Sequence, residues 1–317
     1  MILFDFPTDN PVRLGYGLIC QEMEVCNLAA LTLSANGSWP AVQGTLSIKT
    51  AFNGAETYVV DGRQLRVGGG QFLILNEGQR YSGFVEQSAP VESFSIFFRP
   101  GFFEEAFRVA TTPTERLLDD PRSFPHGAIS FIERMYDREA GVWPMLDRLR
   151  NQLHAGKPER TWLEEQFHQM AGALVGVQQE LRRERQRIPM VRAATRAELH
   201  RRLSQGRDFI ASSFANPITV ADAARAAAVA PHHFLRLFRA AFGITPHQYL
   251  TRVRLRHAAQ LLTEEGMGVA AACYQVGFES PSSFSLLFRR HFGIPPAGYR
   301  AAVTGRKPSE PGERVRE

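Results

Sequence analysis

Pro231-His-His-Phe-Leu-Arg-Leu-Phe-Arg-Ala-Ala-Phe-Gly-Ile-Thr-Pro246 returns fifty residues later as Pro281-Ser-Ser-Phe-Ser-Leu-Leu-Phe-Arg-Arg-His-Phe-Gly-Ile-Pro-Pro296. Identities at that offset run from Pro231 and Pro281 to Tyr249 and Tyr299. Two copies are too few to stack as a solenoid, so the repeat reads as two similar units side by side. Within them, Phe234, Leu237, Phe238, Phe242 and Phe284, Leu287, Phe288, Phe292 fall at i, i+3, i+4 and i+8, the buried stripe of a short amphipathic helix. Pro231 and Pro281 suit the first helical position, Ser280 is a good N-cap, and Gly243 and Gly293 accept the left-handed geometry that ends a helix. A second short helix is expected ahead of each, Thr219 to about Ala227 and Val269 to about Gln275, with Thr219 and Asp222 forming a capping-box-like start. Helix, short turn and helix make a helix-turn-helix, whose second helix can lie in a DNA major groove.

The outer faces of the two second helices bear this out. One carries His232, His233, Leu235, Arg236, Arg239 and Ala240; the other carries Ser282, Ser283, Ser285, Leu286, Arg289 and Arg290. Neither helix contains an acid. A solvated helix usually mixes both signs of charge, whereas a phosphate-facing one avoids carboxylates. The bland alternative is a packing module with an accidental basic face. The overall charge of +5 points the same way, because it hides a split. Residues 1 to 190 hold 19 Lys and Arg against 23 Asp and Glu, net −4, while residues 196 to 300 hold 13 Arg against 6 acids, net +7. A polyanion-binding segment needs that concentration of positive charge.

From about residue 196 to 302 the chain resembles the DNA-binding domain of the AraC/XylS family of bacterial transcription regulators. The resemblance rests on Ile218-Thr-Val-Ala-Asp-Ala-Ala224, the segment from Pro231 to Arg239, Gly277-Phe-Glu-Ser-Pro-Ser-Ser-Phe284 and Arg289-Arg-His-Phe-Gly-Ile-Pro-Pro-Ala-Gly-Tyr-Arg300. It implies two helix-turn-helix units held by one linking helix, opened here by Pro246 after Thr245 and running to about Leu262. Base reading is then expected of His232, His233, Arg236, Ser282, Ser283 and Leu286, and phosphate contact of Arg239, Arg289 and Arg290. The chain departs from the family pattern at three places. Ala230 stands where a capping Ser is common, Ala228 where the turn often has Gly, and Leu286 where a base-reading Arg is frequent. Leu286 suits a thymine methyl, or leaves the second unit as a phosphate clamp.

Toward the N-terminus the pattern changes to short apolar runs broken by turn residues. Leu28-Ala-Ala-Leu-Thr-Leu33, Thr45-Leu-Ser-Ile-Lys-Thr50, Glu56-Thr-Tyr-Val-Val60, Gln71-Phe-Leu-Ile-Leu75 and Ser93-Phe-Ser-Ile-Phe-Phe98 read as strands between about 25 and 100. Asp61-Gly62 signals a hairpin, and Gly68-Gly69-Gly70 and Asn76-Glu77-Gly78 mark further turns. Such spacing suggests a small antiparallel barrel or jelly roll. The stretch from Tyr58 to Asn76 resembles the cupin-like sensor domains of many AraC-type proteins, which implies a small-molecule effector. Trp39, Tyr58, Phe72, Tyr81 and Phe84 are candidates to line a cavity or to fill a solid core; no effector contact is assigned. Metal catalysis in such a barrel needs several His and a carboxylate on one ion, and the first histidine is His126, beyond the strands. The expectation is no enzyme activity, no metal and no cofactor.

Residues 128–138, 142–153 and 162 to about 185 are expected to be helical. In the last, Leu163, Phe167, Met170, Leu174, Val177 and Leu181 are spaced 4, 3, 4, 3, 4, an a/d seam. It reads as a dimer helix, with packing on the barrel as the alternative. The basic run Arg182-Arg-Glu-Arg-Gln-Arg187 reads as a solvated helix end and linker before Pro189. The expected fold is therefore α+β. A sensing and dimerisation domain over 1–188 has a cupin-like antiparallel β-barrel plus helices over about 127–186. An all-α DNA-binding domain with two helix-turn-helix motifs covers 189–302, and a disordered tail 303–317. Cys20, Cys26 and Cys273 lack metal-ligand spacing and suit a reducing cytoplasm, and the chain shows neither an 18-residue apolar run nor a signal-peptide layout. The expected partners are double-stranded DNA, a small-molecule effector, a second copy of the chain and RNA polymerase. A ligand-independent regulator, whose N-terminal domain only dimerises or contacts polymerase, is the competing class.

Overall fold

Asp61 and Gly62 both take left-handed φ, 49° and 75°, the combination a two-residue type I′ hairpin requires. They join β4 (Ala55–Val60) to β5 (Arg63–Gly68), with Val60 opposite Arg63. The structure, a computed structural model, describes residues 3–6, 26–115, 129–138, 141–155, 159–189, 192–263 and 266–304. The other described strands are β1 (Leu3–Phe6), β2 (Leu28–Gln43), β3 (Ser47–Phe52), β6 (Gln71–Leu75), β7 (Arg80–Phe97) and β8 (Met135–Asp137). Their order is β1-β2-β7-β3-β6-β8, with β4 on β7 and β5 on β4. All pairs are antiparallel except β1 with β2. The long β7 pairs with β4 through Phe84 and with β3 through Ser93, so one strand serves both sides of the curl. Breaks in register at Ser34/Asn36 and Trp39/Val42 bend its partner β2 along with it. The result is a nearly closed antiparallel β-barrel of the cupin-like kind.

Strand alternation gives the sheet two apolar faces. Ile48, Phe72, Ile74, Phe94 and Ile96 pack against α1 (Phe102–Thr111), α2 (Trp143–Ala155) and α3 (Arg160–Gln186). The other face sends Tyr58, Val60, Leu73, Leu75, Tyr81 and Met135 into the barrel. Each such side chain contributes roughly 1.5–3 kcal/mol when taken from water. Of the five aromatics weighed for the cavity, Tyr58 and Tyr81 lie in the interior cluster. Phe72 belongs to the helix-facing core, stacked on Tyr136 at 5.4 Å, and Phe84 is half-buried on the alternate face. Trp39 packs beside Val85 and Val91 and donates to Glu56 Oε1.

Two expectations are corrected here. Residues 129–138 are not helical: β8 lies in this stretch and pairs with β6, Phe72 opposite Tyr136, because these residues cover a sheet edge and drop Met135 and Tyr136 into opposite cores. Residue 128 lies outside the described residues. The seam of α3 is not a surface. Leu163, Phe167, Met170, Leu174, Val177 and Leu181 are all buried in the core shared with the sheet, so packing on the barrel is what uses the stripe and none is left for a twin. The helix α1 and the strand β1 were not foreseen.

The C-terminal half comprises α4 (Ala193–Ser212), α5 (Val220–Ala226), α6 (Pro231–Phe242), α7 (Pro246–Thr263), α8 (Val269–Gln275), α9 (Pro281–Phe292) and α10 (Pro296–Thr304). Helix α7 is the expected linking helix. Its Tyr249 and Val253 join the core of α4, α5 and α6, while Leu255, Ala258, Ala259 and Leu262 join that of α8, α9 and α10. Residues 303 and 304, expected in the tail, belong to α10 instead; 305–317 lie outside the described residues.

The turns of the two units are the same structure at an offset of 49, not fifty. Val229 N–H reaches Ala224 O and Phe278 N–H reaches Cys273 O, each at 3.0 Å, the long closing bond of a Schellman-type end. Gly277 takes φ 86° at the apex; Ala228 must adopt φ 50° in the same place. A Cβ costs roughly 1–2 kcal/mol there. Ala228→Gly is therefore expected to raise stability by about 1 kcal/mol in urea unfolding, even after the added freedom of glycine in the unfolded chain.

Candidate nucleic-acid interface

The helices of both units are built by local rules. Thr219 accepts from Asp222 N–H while the Asp222 carboxylate accepts from Thr219 N–H, a complete capping box that starts α5. Pro231 opens α6 without a side-chain cap, since Ala230 has none to give, whereas the Ser280 hydroxyl caps α9 by accepting from Ser283 N–H at 3.4 Å. Gly243 and Gly293 end the helices with φ 75° and 78°, donating to Arg239 O and Arg289 O. Phe234, Leu237 and Phe238 turn inward from α6, and Phe284 and Phe288 from α9.

What remains outward is the predicted set. His232, His233, Arg236 and Arg239 on α6 are exposed, as are Ser282, Ser283, Leu286, Arg289 and Arg290 on α9. Leu286 is 71% exposed and Leu235 45%, large apolar side chains standing on otherwise polar faces. Among the described residues, none of these arginines is in an ion pair with the protein's own carboxylates. Such a face offers guanidinium forks for guanine or phosphate, imidazole and hydroxyl groups for base edges, and a leucine for a methyl group.

The N-terminal half meets α4 and α7 through charges that the sequence reading missed. Arg134 forks onto Glu184 of α3 at 2.6 and 3.0 Å, and the same carboxylate meets His200 Nε2 of α4 at 2.7 Å. Met135 N–H donates to Asp208 Oδ1 of α4 at 2.8 Å. Asp137 accepts from Arg207 of α4, from Arg256 of α7 at 2.5 Å, and from Gln71 of β6 at 3.0 Å. The Arg207 guanidinium lies over Phe242 and Tyr249, closing the site. His257 of α7 stacks on Phe214 at 3.9 Å and fills the space where a side chain at Gly69 would stand; Gly69 also has φ 66°.

Burial and charge set the titration of these groups. Burial alone would raise the Glu184 carboxyl, but the Arg134 guanidinium and His200 hold it at about 2. Burial likewise opposes ionisation of Asp137, and Arg207 and Arg256 drive its pKa far below the carboxylate range. Asp208 goes the other way: burial pushes it up to about 7 despite the Met135 amide and neighbouring arginines. Burial lowers His200, and with Arg256 and Arg66 takes His257 to about 4.

Residues 223–302 match the family described as a helix-turn-helix domain, and residues 35–171 that described as an AraC-like ligand binding domain. The lactose operon transcription activator of Staphylococcus xylosus is 37% identical over 93 residues, 29% of this chain and 33% of its own length. The RCS-specific HTH-type transcriptional activator RclR of Escherichia coli is 40% identical over 85 residues, 27% of this chain and 30% of its own. The match thus spans about a third of these curated relatives. ToxT from Vibrio cholerae O395 has a solved structure with a TM-score of 0.36 at 12% identity, over 88% of this chain and 99% of that one.

A barrel that matches an AraC-like ligand binding domain, joined to a paired helix-turn-helix, defines the class. The chain belongs to the AraC family of transcriptional regulators.

Proposed function

We propose that this chain is a sequence-specific DNA-binding transcription regulator whose N-terminal barrel binds a small-molecule effector, the two halves meeting at residues 188–189. The observation that carries the reading is the pair of exposed, acid-free helix faces mounted on one linking helix. In this reading α6 and α9 enter consecutive major-groove segments about one helical turn, roughly 34 Å, apart. Selection of binding sites from random DNA by the full chain tests it; recovery of no preferred sequence refutes it.

Arg236 is assigned to guanine and Arg289 to phosphate. Arg236→Ala is expected to cost about 1–3 kcal/mol at the selected site and to relax preference at one base pair. Arg289→Ala is expected to weaken all sequences alike and to reduce the salt slope by about one. Equal, sequence-independent losses for both remove this division of labour.

Inside the barrel, Lys49 and Glu56 are the groups an effector would meet. Both are buried, the Lys49 ammonium lying over the Phe97 ring at 3.6 Å and the Tyr81 ring at 5.2 Å. Trp39 Nε1 donates to Glu56 Oε1, and Ser93 and Tyr58 also hydrogen-bond the carboxyl. Burial raises the Glu56 carboxyl against the hydrogen bond from Trp39. Charged groups so placed rarely stabilise a core better than apolar ones, which supports a binding role. A thermal-shift screen of metabolites on the full chain tests effector control; a complete screen with no shift favours the ligand-independent class.

A further inference from the structure

We propose that β8 is the coupling strand of this protein, joining the barrel interior to the linking helix through Asp137. Each of its three residues meets a different neighbour. The Met135 side chain belongs to the interior cluster with Tyr58, Leu73 and Tyr81, and its backbone N–H is held by Asp208 of α4. Tyr136 enters the core between sheet and helices, stacked on Phe72. Asp137 closes the strand on Arg207 and Arg256, which lie on the scaffold of the first unit and on the helix shared by both.

The placement gives coupling a physical route. Met135 packs in one cluster with Tyr58, Leu73 and Tyr81, so a reshaping of that cluster bears on it, and a displacement of Met135 moves the amide held by Asp208. Two residues on, the same strand carries the carboxylate that holds α4 and α7 together. Gln71 ties that carboxylate to β6, whose Leu73 lines the same interior. The recognition faces of α6 and α9 remain exposed with the barrel docked, so the contact governs the placing of the units without covering them. Packed and hydrogen-bonded elements of this kind carry coupling when they have two arrangements, and coupling acts equally in both directions. The inference deepens the effector-control reading by naming its route, yet it is measurable without an effector.

DNA serves as the probe. Hydrogen exchange is measured on the full chain with and without a duplex from the site selection, for the unaltered protein, Asp137→Asn, Asp137→Glu and Arg256→Gln. Duplex binding is expected to slow exchange of β6 and β8 amides about fivefold or more in the unaltered chain. The slowing is expected to vanish in Asp137→Asn and Arg256→Gln, and to be retained in Asp137→Glu. Unchanged β6 and β8 exchange in the unaltered protein, or slowing that persists in both Asp137→Asn and Arg256→Gln, overturns the proposal. Should Asp137→Asn fail to fold, Arg256→Gln decides, since it leaves the Arg207 arm in place. Calorimetry of the free chains decides if no duplex binds, a result that refutes the DNA-binding reading separately. One transition in the unaltered chain that splits into two in Asp137→Asn or Arg256→Gln supports coupling, and unchanged profiles in both variants overturn it.

Discussion

Replacing Glu184 by Gln is expected to cost the full chain about 3–5 kcal/mol. The substitution preserves volume, so the loss is electrostatic. It leaves the Arg134 guanidinium, only 6% exposed, without its counter-charge, and it turns an amide group toward donors on Arg134 and His200. A second route gives the same size: the difference between the ordinary 4.5 and the folded value of about 2 corresponds to about 3 kcal/mol of preference for the charged form. Urea unfolding at neutral pH checks the loss. The folded value is depressed, so this stabilisation is complete above pH 4.5 and is lost as the pH falls toward 2. The gap between variant and unaltered protein should close over that window.

Asp208 and the histidines tilt the profile at higher pH in opposite senses. Asp208 is raised from 3.8 to about 7, so its contribution is complete below 3.8 and lost as the pH rises to 7. His200 and His257 are depressed below 6.5, so theirs is present above 6.5 and lost as the pH falls. Between about pH 4 and 6.5 the trends oppose, and a shallow profile is expected. Asp208→Asn removes the falling part and should leave a stability that climbs with pH across the histidine range. A variant profile parallel to that of the unaltered chain would show that Asp208 is ionised in the folded state.

The recognition half was legible because its signals are local. Proline at the start, glycine at the end and phenylalanine at i, i+4 and i+8 specify α6 and α9 without reference to the rest of the chain. The hairpin at Asp61-Gly62 was legible for the same reason. The junction was not, because its partners are distant in sequence: Asp137 meets Arg207 and Arg256 across 70 and 119 residues. Arg182 to Arg187 reads as a solvated run, and its exposed arginines hid the one member that matters. One signal was present. Continuing the seam of α3 from Leu181 by 3 and then 4 reaches Glu184 and Ile188, both buried. A carboxylate on an apolar register implies a buried cation, and Arg134 is that cation. Residues 129–138 misled for a different reason: a three-residue edge strand is too short to express a period of two.

Leu174→Arg carries the other large effect, and it decides between the two readings of the α3 seam. Leu174 is fully buried in the core that joins α3 to the sheet, so an arginine there is an unpaired charge in an apolar interior, costing several kcal/mol in addition to the strain of its volume. The expected result is loss of the cooperative transition of the N-terminal half, followed by circular dichroism, with aggregation in place of a clean monomer. Gln179→Arg on the exposed face of the same helix is the control, expected to change stability by no more than about 0.5 kcal/mol. Only a Leu174→Arg protein that is folded and monomeric in light scattering, where the unaltered chain is dimeric, restores the seam as a subunit contact. The expected outcome leaves any pairing of two chains to a different surface, because the stripe that a coiled coil needs packs on the sheet.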